Sequence, residues 1–125
     1  LATGIQFFST GLFQSLGGYD ESFRGYGCED IEMLHRCTLA LNWLRSDEIN
    51  ESYLEDFRTK DRSKYRGFRL RFAEILEEKL DTSDIYALHA WHDRRTRRLY
   101  RQMRKHNDKL LRRRLTSPIQ SPSIP

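Results

Sequence analysis

GGYDESFRGYGCEDIE, residues 17–32, is the stretch that decides how this chain is read. It sets one aromatic, Tyr26, between Gly25 and Gly27, and follows at once with Cys28, Glu29 and Asp30. Glycines let a backbone approach a ligand closely. An aromatic ring between them offers a flat apolar face, which suits the C–H face of a sugar ring. A carboxylate takes a proton from a hydroxyl nucleophile, or accepts hydrogen bonds from adjacent hydroxyls. A second reading needs no ligand. Acids at a helix N-terminus are favoured by the helix dipole by roughly 0.3–1 kcal/mol, and Glu32 with Arg36 has the spacing of an ordinary i,i+4 pair. The residues alone leave both readings open.

Outward from this stretch, Ile5-Gln6-Phe7-Phe8 predicts a short strand. Ser9-Thr10 then caps a short helix, Gly11 to Leu16, closed by Gly17-Gly18. A loop spans Tyr19 to Cys28. The next helix is expected over Glu29 to Leu41, with Ile31, Leu34, Thr38 and Leu41 on one face and Met33, Cys37 and Ala40 beside it. Residues 43–60 predict a short strand and a long connection. A helix over 62–80 follows from the 3.6-residue spacing of Tyr65, Phe68, Phe72, Ile75, Leu76 and Lys79. Gly67 stands inside it, at a cost of roughly 1 kcal/mol relative to Ala. Asp84 to Ala90 predicts another strand, with Ile85-Tyr86-Ala87-Leu88 at its centre. Residues 94–115 predict a basic helix with a thin apolar stripe of Leu99, Met103, Leu110 and Leu111. The tail from Thr116 to Pro125 is rich in Ser and Pro and is expected to be disordered.

The 125 residues suffice for one modest core, and 12% aromatics with 38% hydrophobic residues argue against a disordered chain. The chain opens on Leu1-Ala2-Thr3-Gly4-Ile5 rather than Met, which predicts a piece of a longer protein or a processed one. Its apolar runs are far shorter than the ~20 residues of a membrane span. Cys28 and Cys37 form neither a disulfide framework nor a zinc spacing, and point to a reducing compartment. The net charge of +4 is unevenly spread, because residues 94–114 hold eleven Arg or Lys against one Asp.

The pattern Gly-Gly-Tyr-Asp-Glu-x-Phe-x-Gly-Tyr-Gly-x-Glu-Asp-x-Glu resembles the galactosyltransferase C-terminal segment of GT-A glycosyltransferases. That segment occurs in β-1,4-galactosyltransferases, bacterial chondroitin-type capsule polymerases and family-two relatives. Phe7-Phe8, Phe13 and Leu16-Gly17-Gly18-Tyr19-Asp20 extend the likeness upstream. The resemblance implies an α/β fold: the C-terminal, acceptor-side part of a GT-A domain, helix-rich with short strands. It implies that Asp30 is the catalytic base of an inverting transfer, and that Glu29 supports the acceptor. Tyr26, where many members have Trp, would stack on the acceptor sugar, and Gly25 and Gly27 would shape its loop. Cys28 departs from the usual Gly. Retaining relatives tend to carry Glu-Asn, so Glu29-Asp30 favours inversion.

His89-Ala90-Trp91-His92 follows the predicted strand. Two imidazoles three residues apart reach one divalent metal, or serve as hydrogen-bonded structural groups. The resemblance places His92, with His89 second, as ligands of a manganese ion (magnesium is the alternative) that neutralises the donor diphosphate. The family's Asp-x-Asp motif is missing here; Asp81-Thr82-Ser83-Asp84 has the wrong spacing. The N-terminal nucleotide-binding half of the same protein is expected to supply it. The chain alone is then expected to lack transferase activity and to bind metal and nucleotide weakly. His35 and His106 match nothing in the family.

The basic block admits a solvated helix face, an anionic membrane surface or partner enzyme, and, as the weakest of these, nucleic acid. Arg94 or Arg95 also suits a donor diphosphate. The expectations are therefore a glycosyltransferase region over 1–93, a basic helix over 94–115 and a tail over 116–125. The reaction expected is transfer from a UDP-sugar to a saccharide acceptor in surface polysaccharide or glycan synthesis. Its expected location is cytoplasmic, peripheral on the inner face of the membrane if the basic block binds lipid. The rival is a non-catalytic remnant domain that binds a sugar, a membrane or a partner through its basic helix.

Overall fold

The computed structural model describes residues 6–25, 27–55, 61–79 and 102–117. They form five α-helices: α1 (Thr10–Ser15), α2 (Glu29–Ala40), α3 (Glu51–Leu54), α4 (Gly67–Lys79) and α5 (Arg104–Thr116), with 3₁₀ turns at Ser46–Glu48 and Arg62–Lys64. The helix-rich half of the sequence expectation holds, and no strand is present among the described residues. Gln6 to Ser9 are irregular, which corrects the strand expected over Ile5 to Phe8. Phe8 instead packs edge-on against Tyr19 and tilts against Phe13, so its ring is held by aromatic contacts without a strand ladder. The strand expected over 84–90 lies outside the described residues.

Local chemistry sets the helix ends. The Ser9 hydroxyl accepts from the Leu12 amide and starts α1. Its end is a Schellman closure: Gly17 N–H donates to Gln14 O and Gly18 N–H to Phe13 O, both glycines with positive φ. α2 ends in the same way, with Asn42 at φ 56° donating to Leu39 O and Trp43 N–H to Thr38 O. This stops α2 at Ala40, and Leu41, expected on the buried face, is 39% exposed.

Residues 43–55 turn helically rather than forming the expected strand. Glu48 Oε1 accepts from the Arg45 amide, and the Asn50 side chain accepts from the Tyr53 amide; each satisfies a helix-start donor that a strand would have used in a ladder. Gly67 is also corrected. It lies at the first residue of α4 with φ +60°, and a Cβ there would sit 2.7 Å from Tyr53 O and 2.6 Å from Glu55 O. The glycine is what lets α4 begin against the end of α3.

One core joins these helices. Phe68, Phe72 and Ile75 of α4 meet Ile31 of α2, Leu44, Tyr53 of α3, and Leu111 and Leu115 of α5. Each large side chain so buried contributes roughly 1.5–3 kcal/mol. The buried stripe of α5 is Asn107, Leu111 and Leu115, at four-residue spacing. Met103 and Leu110 are only half-buried, and Leu99 lies outside the described residues. The basic helix is thus a core element on one face, packed on α2. Among the described residues no helix is long and apolar enough to cross a membrane.

Candidate active site

The loop from Asp20 to Cys28 is held from both ends. At Asp20, Oδ1 accepts from the Ser22 amide and Oδ2 from Arg114 Nε at 2.7 Å. Burial pushes the Asp20 carboxyl up, but the Ser22 amide and hydroxyl and the Arg114 guanidinium together hold it below the usual value. Phe23 tucks against the core. At the far end Asn107, fully buried on α5, donates from Nδ2 to the carbonyls of Arg24 (2.9 Å) and Gly27 (3.0 Å), and its Oδ1 accepts from the Arg24 amide at 3.4 Å. Next to it, the buried Cys28 thiol donates to Asp108 Oδ1 at 3.2 Å.

Cys28 takes φ +84° as it enters α2. A side chain costs roughly 1–2 kcal/mol in that left-handed region, which is a physical reason for the Gly usual at this position in the resembling family. Burial of the side chain and its bond to Asp108 offset that cost. Gly25 and Gly27, at φ 74° and 95°, carry the rest of the left-handed turn. Tyr26 lies outside the described residues.

Glu29 and Asp30 follow as the first two residues of α2, both half-buried. Asp30 Oδ1 accepts from the Ile31 amide at 2.9 Å, and its carbonyl accepts from Gln6 Nε2 at 3.0 Å. Gln6 Oε1 in turn accepts from the Tyr19 hydroxyl at 3.1 Å. Burial, then the negative fields of Asp30, Cys37 and Glu29, raise the Tyr19 phenol above its usual value. Gln6 thus ties the Tyr19 phenol to the backbone of Asp30, and the Glu29 and Asp30 side chains stand in the first turn of α2 near enough for their charge to act on that phenol. A carboxylate so placed is able to accept a hydroxyl proton or hydrogen bonds from neighbouring hydroxyls.

Behind this mouth α2 is braced. Glu32 and Arg36 form the pair expected from their spacing, but buried and forked, with Arg36 also holding the Leu16 and Gly18 carbonyls. His35, for which the sequence offers no match, is 1% exposed and hydrogen-bonds through Nδ1 to the Tyr53 hydroxyl at 2.8 Å. Cys37 is a buried free thiol, pushed up to about 11 chiefly by burial.

Of the expected site residues, Gly25, Gly27, Glu29 and Asp30 are thus brought together at one place. His89, His92, Arg94 and Arg95 lie outside the described residues. Among those described, no group of three or more His, Cys, Asp or Glu is arranged to hold a metal. Sequence reading missed Gln6, Tyr19, Asn107 and Asp108 as neighbours of the site. One signal for Asn107 was available: a polar residue four positions before Leu111 on the apolar stripe of an otherwise basic helix.

A family model described as glycosyltransferase-like family 2 matches residues 6–116. No curated protein and no solved structure matched the chain.

Proposed function

Because the chain belongs to glycosyltransferase-like family 2, whose chemistry is glycosyl transfer, we propose that it forms the acceptor side of an inverting, UDP-sugar-dependent transferase acting in surface polysaccharide or glycan synthesis. The observation that carries this is the placing of Glu29 and Asp30 in the first turn of α2, directly after the left-handed loop of Gly25, Gly27 and Cys28.

In this reading Asp30 takes the proton of an acceptor hydroxyl. The oxygen attacks the anomeric carbon from the face opposite the nucleotide, the new C–O bond forms, and the bond to the diphosphate breaks with its electron pair leaving on UDP. Glu29 holds adjacent acceptor hydroxyls, and Tyr26 stacks on the acceptor ring. The bond from the Ile31 amide to Asp30 Oδ1 fixes the rotamer of the proposed base. His92 and His89, imidazoles suited to a borderline divalent ion, would hold Mn²⁺. The metal supplies charge neutralisation at the leaving diphosphate. Arg94 and Arg95 would add charge for the same group. The nucleotide-binding half of the protein would provide the Asp-x-Asp carboxylates.

The test is Asp30→Asn in the intact enzyme. Turnover should fall by at least about a hundredfold, the lower range of general-base contributions, while titration with UDP-sugar shows donor affinity within about twofold. Undiminished turnover removes Asp30 as the base. Turnover and donor affinity lost together point to a folding defect and also count against the assignment.

A further inference from the structure

We infer that Asn107, with Asp108 beside it, is a positioning residue for the acceptor site: α5 fixes the backbone of Arg24, Gly27 and Cys28 that leads into Glu29 and Asp30, and so sets acceptor affinity without touching the reacting atoms. This rests on the acceptor-side reading above.

The side chain of Asn107 is fully buried and spends both ends of its amide on loop backbone. It reaches Arg24 twice and Gly27 once across 83 and 80 residues of sequence. Asp108 holds Cys28, the residue that turns the loop into α2. The anchored residues bracket Tyr26 in the chain. Gly25 and Gly27 give this loop a soft backbone, which without external bonds would sample many conformations. Buried loop carbonyls also need a donor, and each one left unmet costs about 1–3 kcal/mol. A carboxamide carries two donor hydrogens and an acceptor oxygen in one neutral group, so one residue serves the Arg24 amide and two carbonyls. The basic residues around it on α5 have no acceptor atom to offer. The loop geometry in front of Asp30 is therefore written on α5, in a segment whose charge conceals it.

The experiment uses the intact enzyme with Asn107→Ala and, as a second change, Asn107→Asp, which keeps the volume and the oxygen acceptor but replaces the Nδ2 donor with a carboxylate oxygen facing the Arg24 and Gly27 carbonyls. Two readouts are taken on folded protein. The first is native-state trypsin cleavage after Arg24, located by mass spectrometry. The second is saturation with acceptor and with UDP-sugar in turn. Cleavage at Arg24 should quicken, and acceptor KM should rise about tenfold, equivalent to one well-placed buried hydrogen bond, with donor KM unchanged. Unaltered cleavage in both variants overturns the clamp. Faster cleavage with both KM values unchanged, or rising equally, overturns the positioning role and leaves a structural contact. The cleavage arm does not depend on the chemistry of Asp30, so failure of the base assignment and failure of the clamp give different results.

Discussion

Arg36 donates from Nε and Nη2 to the two carboxylate oxygens of Glu32, at 2.6 and 2.7 Å, and its guanidinium also donates to the carbonyls of Leu16 and Gly18. One side chain therefore closes α1, fixes the Gly17-Gly18 turn and neutralises a buried carboxylate on α2. The Glu32 side chain is only 5% exposed and that of Arg36 17%.

Breaking this pair should be costly, and most so where the buried carboxylate survives alone. Arg36→Ala is expected to lower stability by about 3 kcal/mol or more, and Glu32→Ala by less, because Arg36 is partly exposed and keeps the Leu16 and Gly18 carbonyls; urea unfolding measures both. Arg36→Lys keeps the charge but not the planar fork, and should recover only part of the loss. A lysine variant as stable as the native protein would show that charge alone, not the forked geometry, matters here.

Gly67→Ala is expected to destabilise by at least about 2 kcal/mol, since strain at positive φ alone costs roughly 1–3 kcal/mol. The new Cβ would also press on the carbonyls of Tyr53 and Glu55, both backbone atoms that cannot swing aside. The same change in an exposed helix interior would stabilise by about 1 kcal/mol, so the sign of the effect separates the two placements of this glycine. Chemical denaturation decides it.

His35 gives a pH dependence with a definite sign. Burial first, and then the charge of Arg36, lower it from 6.5 to about 4. Near pH 6.5 the unfolded chain takes up a proton that the folded chain refuses. The stability tied to His35 is thus complete above pH 6.5, declines as pH falls, and is gone below about 4. The total is roughly 3 kcal/mol. His35→Gln should flatten the fall in stability between pH 6.5 and 4 relative to the native protein. Identical pH profiles for the two proteins would rule out the titration of His35 as its source.

Much of the local structure was legible. Ser9 as a cap, the Gly17-Gly18 stop, the start of α2 at Glu29 and the apolar spacing of Phe68, Phe72 and Ile75 each rest on residues within a few positions of one another. So does the Glu32–Arg36 pair. The places where the reading failed share a cause. Gly67 looked like an interior glycine because its reason for existing, the carbonyls of Tyr53 and Glu55, becomes visible only when α3 and α4 meet. Residues 43–60 read as a short strand and a long connection, with no clear periodicity to decide the state. Local hydrogen bonds to Glu48 and Asn50 settle it as helical turns.

The sequence by itself pointed to a glycosyltransferase of family two, through the glycines, aromatics and acids of residues 17–32, and to Glu29 and Asp30 at a helix start; the coarse family and the helix start hold. Those features are short-range and survive translation into a pattern. Only the tertiary structure decided what holds that pattern in place. The bonds from Asn107 and Asp108 to Arg24, Gly27 and Cys28 span 80 or more residues. They exist because burying Leu111 and Leu115 against the common core lays one face of a highly charged helix along the loop. The four-residue spacing of Asn107, Leu111 and Leu115 marks the face that turns inward, but no local rule says that its polar member meets the backbone of a loop 80 residues away.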